Sequence, residues 1–383
     1  MTYHAAGVGE LRIGPRIARG REGTVFRVVG FDRTCAKIYR RPDAWLEARL
    51  ATVIAQPPAR WPADPTGHLY VAWPRAVVYD AERRAVGYLM VEVRGVSLAQ
   101  LYEADSRADS LDNPTWATCV AIARELAAIF AALHPSIVVG DVSPNNVLVT
   151  RTGRVCLIDC DSMQFPDRAR GGTWRARMAT LDYAPYTPGG QAQVLSPDHD
   201  LFGLAILVCE LLMAGQHPYD GRPVGAARAE GKAGNIRLGA NRVTDPASLG
   251  DRPGLIPATI LPTNIRRLAK EAFAVETLSP AQRPTAMMWV KALDALADKI
   301  VACGTSVYHR YPRGLRRCNW CDQISAGIGD HFPQPTSSRP IPPTSTPNWR
   351  QARTPPPDYG HRPKPGVPPL PSWPARRRTW KDW

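Results

Sequence analysis

Val139-Gly140-Asp141-Val142-Ser143-Pro144-Asn145-Asn146, followed by Val155-Cys156-Leu157-Ile158-Asp159-Cys160-Asp161, carries the most specific signal in the chain. An aspartate, an asparagine five residues on, and a second aspartate after an apolar run form a spacing suited to phosphoryl transfer. Asp141 can orient a hydroxyl, while Asn146 and Asp159 offer oxygen donors for Mg²⁺ on phosphate. The apolar residues Val147, Leu148, Val149 and Val155, Leu157, Ile158 read as two short strands joined by the Arg151-Thr152-Gly153 turn. Such a hairpin would hold the polar groups at one edge of a lobe. Taken alone, the stretch suits a plain hairpin with solvated polar ends equally well.

The surrounding chain favours the chemical reading. Ala18-Arg19-Gly20-Arg21-Glu22-Gly23-Thr24-Val25 places glycines where backbone N–H groups can approach phosphate. Cys35-Ala36-Lys37-Ile38 supplies a strand lysine, and the helix-like run from Ala44 to Ala55 carries Glu47. Trp116 to Leu133 has the apolar spacing of a buried amphipathic helix. Asp200-Leu201-Phe202-Gly203-Leu204 opens a second apolar helix that runs through Met213 and stops at Gly215-Gln216-His217-Pro218-Tyr219. That run contains Glu210 and is too short for a membrane span. Gln282-Arg283-Pro284-Thr285 follows.

In this order the landmarks resemble a protein kinase from about Ile13 to Lys299. The resemblance implies that Gly20, Gly23 and Val25 cover the phosphates of ATP. Lys37 grips the α/β-phosphates with Glu47 as its ion-pair partner. In Leu89-Met90-Val91-Glu92-Val93, Met90 is the gatekeeper, and backbone groups of Val91 and Val93 meet adenine. Asp141 is the catalytic base, Asn146 and Asp159 bind Mg²⁺, and Asp200 braces the catalytic loop.

Several positions depart from the kinase pattern. The usual H-R-D reads Val139-Gly140-Asp141, so the arginine that would read an activation-loop phosphate is absent. D-F-G reads Asp159-Cys160-Asp161, and Asp161 could add a metal ligand or favour Mn²⁺. Ser143 stands where a lysine would contact the transferred phosphate. A-P-E reads Ala184-Pro185-Tyr186, which leaves Arg283 without its usual glutamate. Gly140 to Asn146 together with Ile158 to Ser162 resemble an atypical bacterial kinase-like group associated with tellurite-resistance or stress operons. Its members carry a Cys/His appendage and are encoded with a von Willebrand A-type protein and a PP2C-type phosphatase.

A second signal lies beyond the kinase-like region. Cys303, His309, Cys318 and Cys321 supply three thiolates and an imidazole, with Cys318-Asn319-Trp320-Cys321 as a tight two-thiolate turn. That donor set is expected to hold Zn²⁺ in a closed structural site, with the ion supplying much of the local folding energy. Three free cysteines and a surface histidine are the plainer alternative. Cys35, Cys119, Cys156, Cys160 and Cys209 fall in apolar positions and read as buried thiols. This usage fits a reducing cytoplasm rather than a disulfide framework.

The chain has 383 residues and a formal net charge of +14. Met1 to Glu10 lacks the basic start and apolar core of a signal peptide, and no transmembrane segment is expected. Pro333 to Trp383 is rich in Pro, Ser, Thr and Arg, and its nine Lys/Arg against two Asp contribute +7. It reads as a disordered tail. Pro340-x-x-Pro343 and Pro365-Gly366-Val367-Pro368 suit an SH3-like partner, and Arg376-Arg377-Arg378 suits nucleic acid or acidic membrane. A solubilising tail with no partner is equally consistent.

The expected fold is therefore α+β and kinase-like: an N-lobe over residues 1–92, a mainly helical C-lobe over 93–299, a zinc module over 300–332 and a tail over 333–383. The expected function is transfer of phosphate from Mg-ATP to a protein Ser/Thr hydroxyl. Two alternatives stand beside it. One is a nucleotide-binding pseudokinase acting through the zinc module and tail. The other is a small-molecule phosphotransferase.

Overall fold

The computed structural model describes residues 2–58, 66–186, 194–225, 231–250, 254–274 and 283–336. Gln282, Thr187 and the docking and basic motifs of the tail lie outside the described residues. The described chain falls into two compact units that divide between Val93 and Arg94.

The N-terminal unit is built on one antiparallel sheet. Its strands are β1 (Tyr3–Ala5), β2 (Gly9–Leu11), β3 (Ile13–Arg19), β4 (Gly23–Val28), β5 (Thr34–Tyr39), β6 (Ala76–Tyr79) and β7 (Ala85–Val91), in the order β2-β1-β6-β7-β5-β4-β3. Helix α1 (Leu46–Ala55) follows β5 and packs over β6 and β7. Its Leu46, Leu50 and Val53 recur at helical spacing and are all buried. On the sheet, Ala5, Leu11, Val28, Ala36, Val78 and Leu89 form one apolar cluster.

The second unit begins with β8 (Val96–Ser97), α2 (Ala104–Ser110) and α3 (Trp116–Leu133). The expected hairpin follows as β9 (Val147–Val149) and β10 (Val155–Leu157), with Val155 opposite Val149 and β8 added on the β9 side. Gly153 sits at the turn with φ of +81°, a conformation that glycine adopts without steric cost. A second hairpin pairs β11 (Phe165–Asp167) with β12 (Gly172–Trp174). Helix α4 (Pro197–Leu212) starts three residues before Asp200, with Pro197 in its first turn, where a missing N–H costs nothing. Helices α5 (Gly231–Leu238), α6 (Thr263–Phe273) and α7 (Ala286–Ala297) complete the helical part. Helix α3 packs on α4 and α7, and α6 packs on both α4 and α7.

Residues Asp200–Leu212 of α4 are all buried, including Glu210. The helix is apolar all round because it is enclosed on every side. Among the described residues, α3 is the one helix whose length and composition would suit a membrane, and 61% of that window is buried inside the fold. It is a core helix here, as its spacing predicts.

The Cys/His segment belongs to the same compact unit as the helices. It consists of the hairpin β13 (Ile300–Ala302) and β14 (Arg310–Pro312), then α8 (Asn319–Ser325). Trp320 and Phe332 are almost fully buried, and the Trp320 ring lies 6.3 Å from that of Trp116. A segment too small for a core of its own thus borrows the core of the helical unit. The fold is the expected one: a curled antiparallel sheet first, then a mainly helical unit carrying a Cys/His cluster.

Candidate active site

The candidate groups are divided between the two units. In the N-terminal unit, Gly20 and Gly23 flank the β3–β4 turn, and Gly20 N–H donates to Gly23 O at 2.9 Å. The two glycines differ in what they do. A Cβ on Gly20 would have its nearest neighbour at 3.8 Å, whereas one on Gly23 would stand 2.5 Å from the Ile38 carbonyl oxygen. Gly23 is needed for the close approach of β4 to β5. Val25 lies opposite Lys37 in that pairing.

Lys37 is buried, with its Nζ 5.1 Å from the centre of the Tyr39 ring and 5.8 Å from that of Tyr88. Both distances suit a cation–π contact. Its Nζ lies within ion-pair distance of the Glu22 carboxylate, at 3.7 Å. Glu47, expected from the helix as the partner, instead accepts a hydrogen bond from the Tyr79 hydroxyl at 2.8 Å. Only ten residues of sequence separate Lys37 from Glu47. Glu22 sits in the turn beside β4, which pairs directly with β5, and so reaches the lysine across the sheet.

Met90 is buried at the end of β7, where its carbonyl lies 3.7 Å from Cys35 Sγ. Glu92 N–H donates to Arg33 O at 2.8 Å. Antiparallel pairs alternate, so Val91 directs its own backbone groups away from β5. On its other side the β6 pairing has ended at Ala76 opposite Leu89. Val93 is the last residue of the unit. Glu92 is spent on structure, since its carboxylate accepts from Arg27 Nη2 at 2.8 Å.

In the second unit the groups around Asp141 are tightly organised. Asn146 Nδ2 donates to both the backbone oxygen and Oδ2 of Asp141, each at 3.0 Å. The Thr180 hydroxyl donates to Oδ1 at 2.7 Å. Ser143 Oγ accepts from Asn145 N–H at 3.3 Å and starts the short turn Pro144–Asn146. Asn146 O then accepts from Ile158 N–H at 3.0 Å, which ties the loop to the end of β10. Asp159 follows in the left-handed region, at φ of +65°. Non-glycine residues rarely occupy that region, and those that do concentrate at functional sites. Asp161 is buried two residues on.

Asp200 holds the loop from below. It is fully buried; Oδ2 accepts from Val139 N–H at 2.6 Å and Oδ1 from Gly140 N–H at 2.8 Å, with His134 Nε2 3.2 Å from Oδ2. Gly140 needs to be glycine twice over. Its φ is +75°, and a Cβ would stand 2.5 Å from that of Ala176.

Arg283 has a partner after all. With tyrosine at position 186, its guanidinium instead pairs with Asp198, two residues before Asp200 on α4. It also donates from Nε to Ala272 O at 2.9 Å and lies 5.4 Å over the Phe202 ring. Nearby, burial pushes the Glu210 carboxyl up to about 8, and the Tyr183 hydroxyl donates to it at 3.0 Å. Burial also keeps His217 neutral down to about pH 3. Its Nδ1 accepts from Tyr219 N–H, so Nε2 carries the proton it donates to Asp182 O at 3.0 Å.

The Cys/His donors come together as the spacing predicts. The ligand atoms of Cys303, His309, Cys318 and Cys321 all lie within 4.8 Å of one another. Cys303 and Cys321 sulfurs are 3.6 Å apart, and His309 Nδ1 is 3.7 Å from Cys318 Sγ and 3.5 Å from Cys321 Sγ. Tetrahedral Zn²⁺ with ordinary bond lengths separates sulfur from sulfur by about 3.8 Å and sulfur from nitrogen by about 3.6 Å. The donors therefore fit such an ion. Burial works to raise the Cys303 thiol, but backbone N–H groups of Thr305 and Ser306 and the neighbouring thiols outweigh it and bring it down to about 6. Burial instead pushes Cys318 up to about 12 and raises Cys321, so Cys303 is the thiol most ready to ionise and the other two need the ion itself to become thiolates.

Glu22, Asp198, the Thr180 contact and Asp330, which accepts from His309 Nε2 at 3.0 Å, lie outside the expected site residues. Asp198 had a signal, its place two residues from Asp200 on one helix. Asp330 had none.

The antiparallel sheet unit followed by the mainly helical unit is a mixed α+β, protein kinase-like fold. No protein-family model matches the chain. It is similar to proteins named protein kinase YegI: 32% identical over 332 residues to that of Escherichia coli strain K12, and 32% over 326 residues to that of E. coli O157:H7. These alignments take in 84% and 82% of the chain but 50% and 49% of the relatives. The chain thus spans about half the length of the curated relatives it matches.

Proposed function

We propose that the chain is a protein kinase that transfers the γ-phosphate of ATP to a Ser or Thr hydroxyl of a protein. The observation that carries this reading is the state of Asp141. Asn146 holds one carboxylate oxygen, and the other accepts from an alcohol, that of Thr180, at 2.7 Å. An acceptor hydroxyl would need that contact for Asp141 to orient it and take up its proton.

Asn146 and Asp159 offer oxygen donors of the kind Mg²⁺ or Mn²⁺ takes, with Asp161 next along the chain as a further one. Lys37, in this reading, aligns the α/β-phosphates, and Val91 and Val93 offer backbone groups to adenine. The nucleotide supplies the phosphoryl group, and the metal neutralises its charge. Catalysis rests on positioning and electrostatics by the residues named. Cys303, His309, Cys318 and Cys321 hold Zn²⁺ as a structural ion. The likeness to proteins named protein kinase supports the assignment. A bacterial stress-signalling role in the cytoplasm, with a von Willebrand A-type protein and a PP2C-type phosphatase as partners, rests on the family resemblance.

The test is phosphate transfer from labelled ATP, with Mg²⁺ and with Mn²⁺, to the protein itself and to a generic Ser/Thr substrate. Wild type runs beside Asp141→Ala and Asp159→Ala. Transfer by wild type alone supports the proposal. The pairing of Lys37 with Glu22 rather than Glu47 favours a second reading, a nucleotide-binding pseudokinase. Nucleotide binding without transfer would establish that reading instead.

A further inference from the structure

His309 turns Nδ1 towards the thiols and Nε2 towards Asp330, which accepts from it at 3.0 Å. A carboxylate in that position fixes the tautomer and orientation of a metal-ligating histidine and raises its basicity. The same Asp330 oxygen accepts from Phe332 N–H at 2.8 Å. Phe332 is buried, with its ring 4.6 Å from that of Trp320 and 4.6 Å from the guanidinium carbon of Arg107.

Arg107 belongs to α2. It is buried and donates from Nη1 to Leu101 O at 2.6 Å and from Nη2 to His331 O. A little further on, Thr336 donates from both its N–H and its hydroxyl to Asp109 of the same helix, at 3.0 and 2.8 Å. An unbroken chain of contacts thus runs from the thiol cluster through His309 and Asp330 to Phe332 and on to α2. Burial works against the Arg107 charge, so its cover by His331 and Phe332 matters to the unit.

We propose that Asp330 is the outer carboxylate of the Cys/His site, and that a bound tetrahedral divalent ion acts through it to clamp residues 330–336 onto Arg107 and α2. The ion would then order a stretch far larger than its own ligand loop. This rests on the zinc reading of the four ligands. It concerns the way metal occupancy is communicated to the helical unit.

The test uses the full chain loaded with Zn²⁺, with bound metal measured directly and affinity measured by competition with a chromogenic chelator. Asp330→Ala is expected to weaken Zn²⁺ binding by about 10- to 100-fold. In hydrogen-exchange mass spectrometry, chelation is expected to expose residues 330–336 and 104–110 together. At saturating Zn²⁺, Phe332→Ala should expose residues 104–110 while metal affinity stays within a few-fold of wild type. This variant keeps the test informative should the metal-free chain aggregate. Unchanged affinity in Asp330→Ala, or unchanged protection at 330–336 after chelation, would overturn the clamp. A wild-type chain that binds no Zn²⁺ at all would instead remove the zinc reading beneath it.

Discussion

Replacing Asp200 with alanine isolates one structural cause of the catalytic-loop conformation. The carboxylate is fully buried and accepts from Val139 N–H at 2.6 Å and Gly140 N–H at 2.8 Å. Alanine leaves both N–H groups buried without an acceptor, and each such loss costs about 1–3 kcal/mol. The expected destabilisation is therefore about 2–6 kcal/mol, against roughly 5–15 kcal/mol for a whole domain. Asparagine keeps one acceptor oxygen but turns an amide N–H₂ towards the other donor, so it should recover only part of the loss. Urea unfolding followed by far-UV circular dichroism measures the difference. Asp141 is next to Gly140, so its placement should also suffer, and a displacement of about 1 Å can cost roughly a hundredfold in rate. An Asp200→Ala protein within about 0.5 kcal/mol of wild type would show that Asp200 does not brace the loop, because no buried N–H could then have lost its partner.

Other perturbations separate roles that look alike in sequence. Gly23→Ala should destabilise the sheet by about 1–3 kcal/mol through its clash with the Ile38 carbonyl, while Gly20→Ala should cost well under about 1 kcal/mol; thermal unfolding of the two variants distinguishes them. Glu210 has its carboxyl raised from 4.5 to about 8, so the folded state holds its proton more tightly than the unfolded chain. Its contribution is fully present below pH 4.5 and is lost as pH rises to about 8. Glu210→Gln should therefore gain on wild type across that window, by at most about 5 kcal/mol, in denaturation curves taken at several pH values. Arg283→Ala and Asp198→Ala should each destabilise by about 3 kcal/mol or more, since each strands a buried charge, and the double variant should cost less than the sum of the two.

Several local elements are legible in the amino-acid sequence alone. Short apolar runs and helical apolar spacing located the β9–β10 hairpin and α3, and Gly153 marked the turn, because these signals are local and follow from backbone geometry. The Cys-x₂-Cys turn and its distant Cys and His were legible too, because metal chemistry admits few residue types. The choice of charge partners, by contrast, comes from packing. Lys37 meets Glu22 across a sheet, Arg283 meets Asp198 from 85 positions away, and Asp330 reaches His309 over 21. A charged side chain carries no local mark of which opposite charge will lie within 4 Å of it. Packing settles that, because a buried charge must find whatever partner the fold brings near.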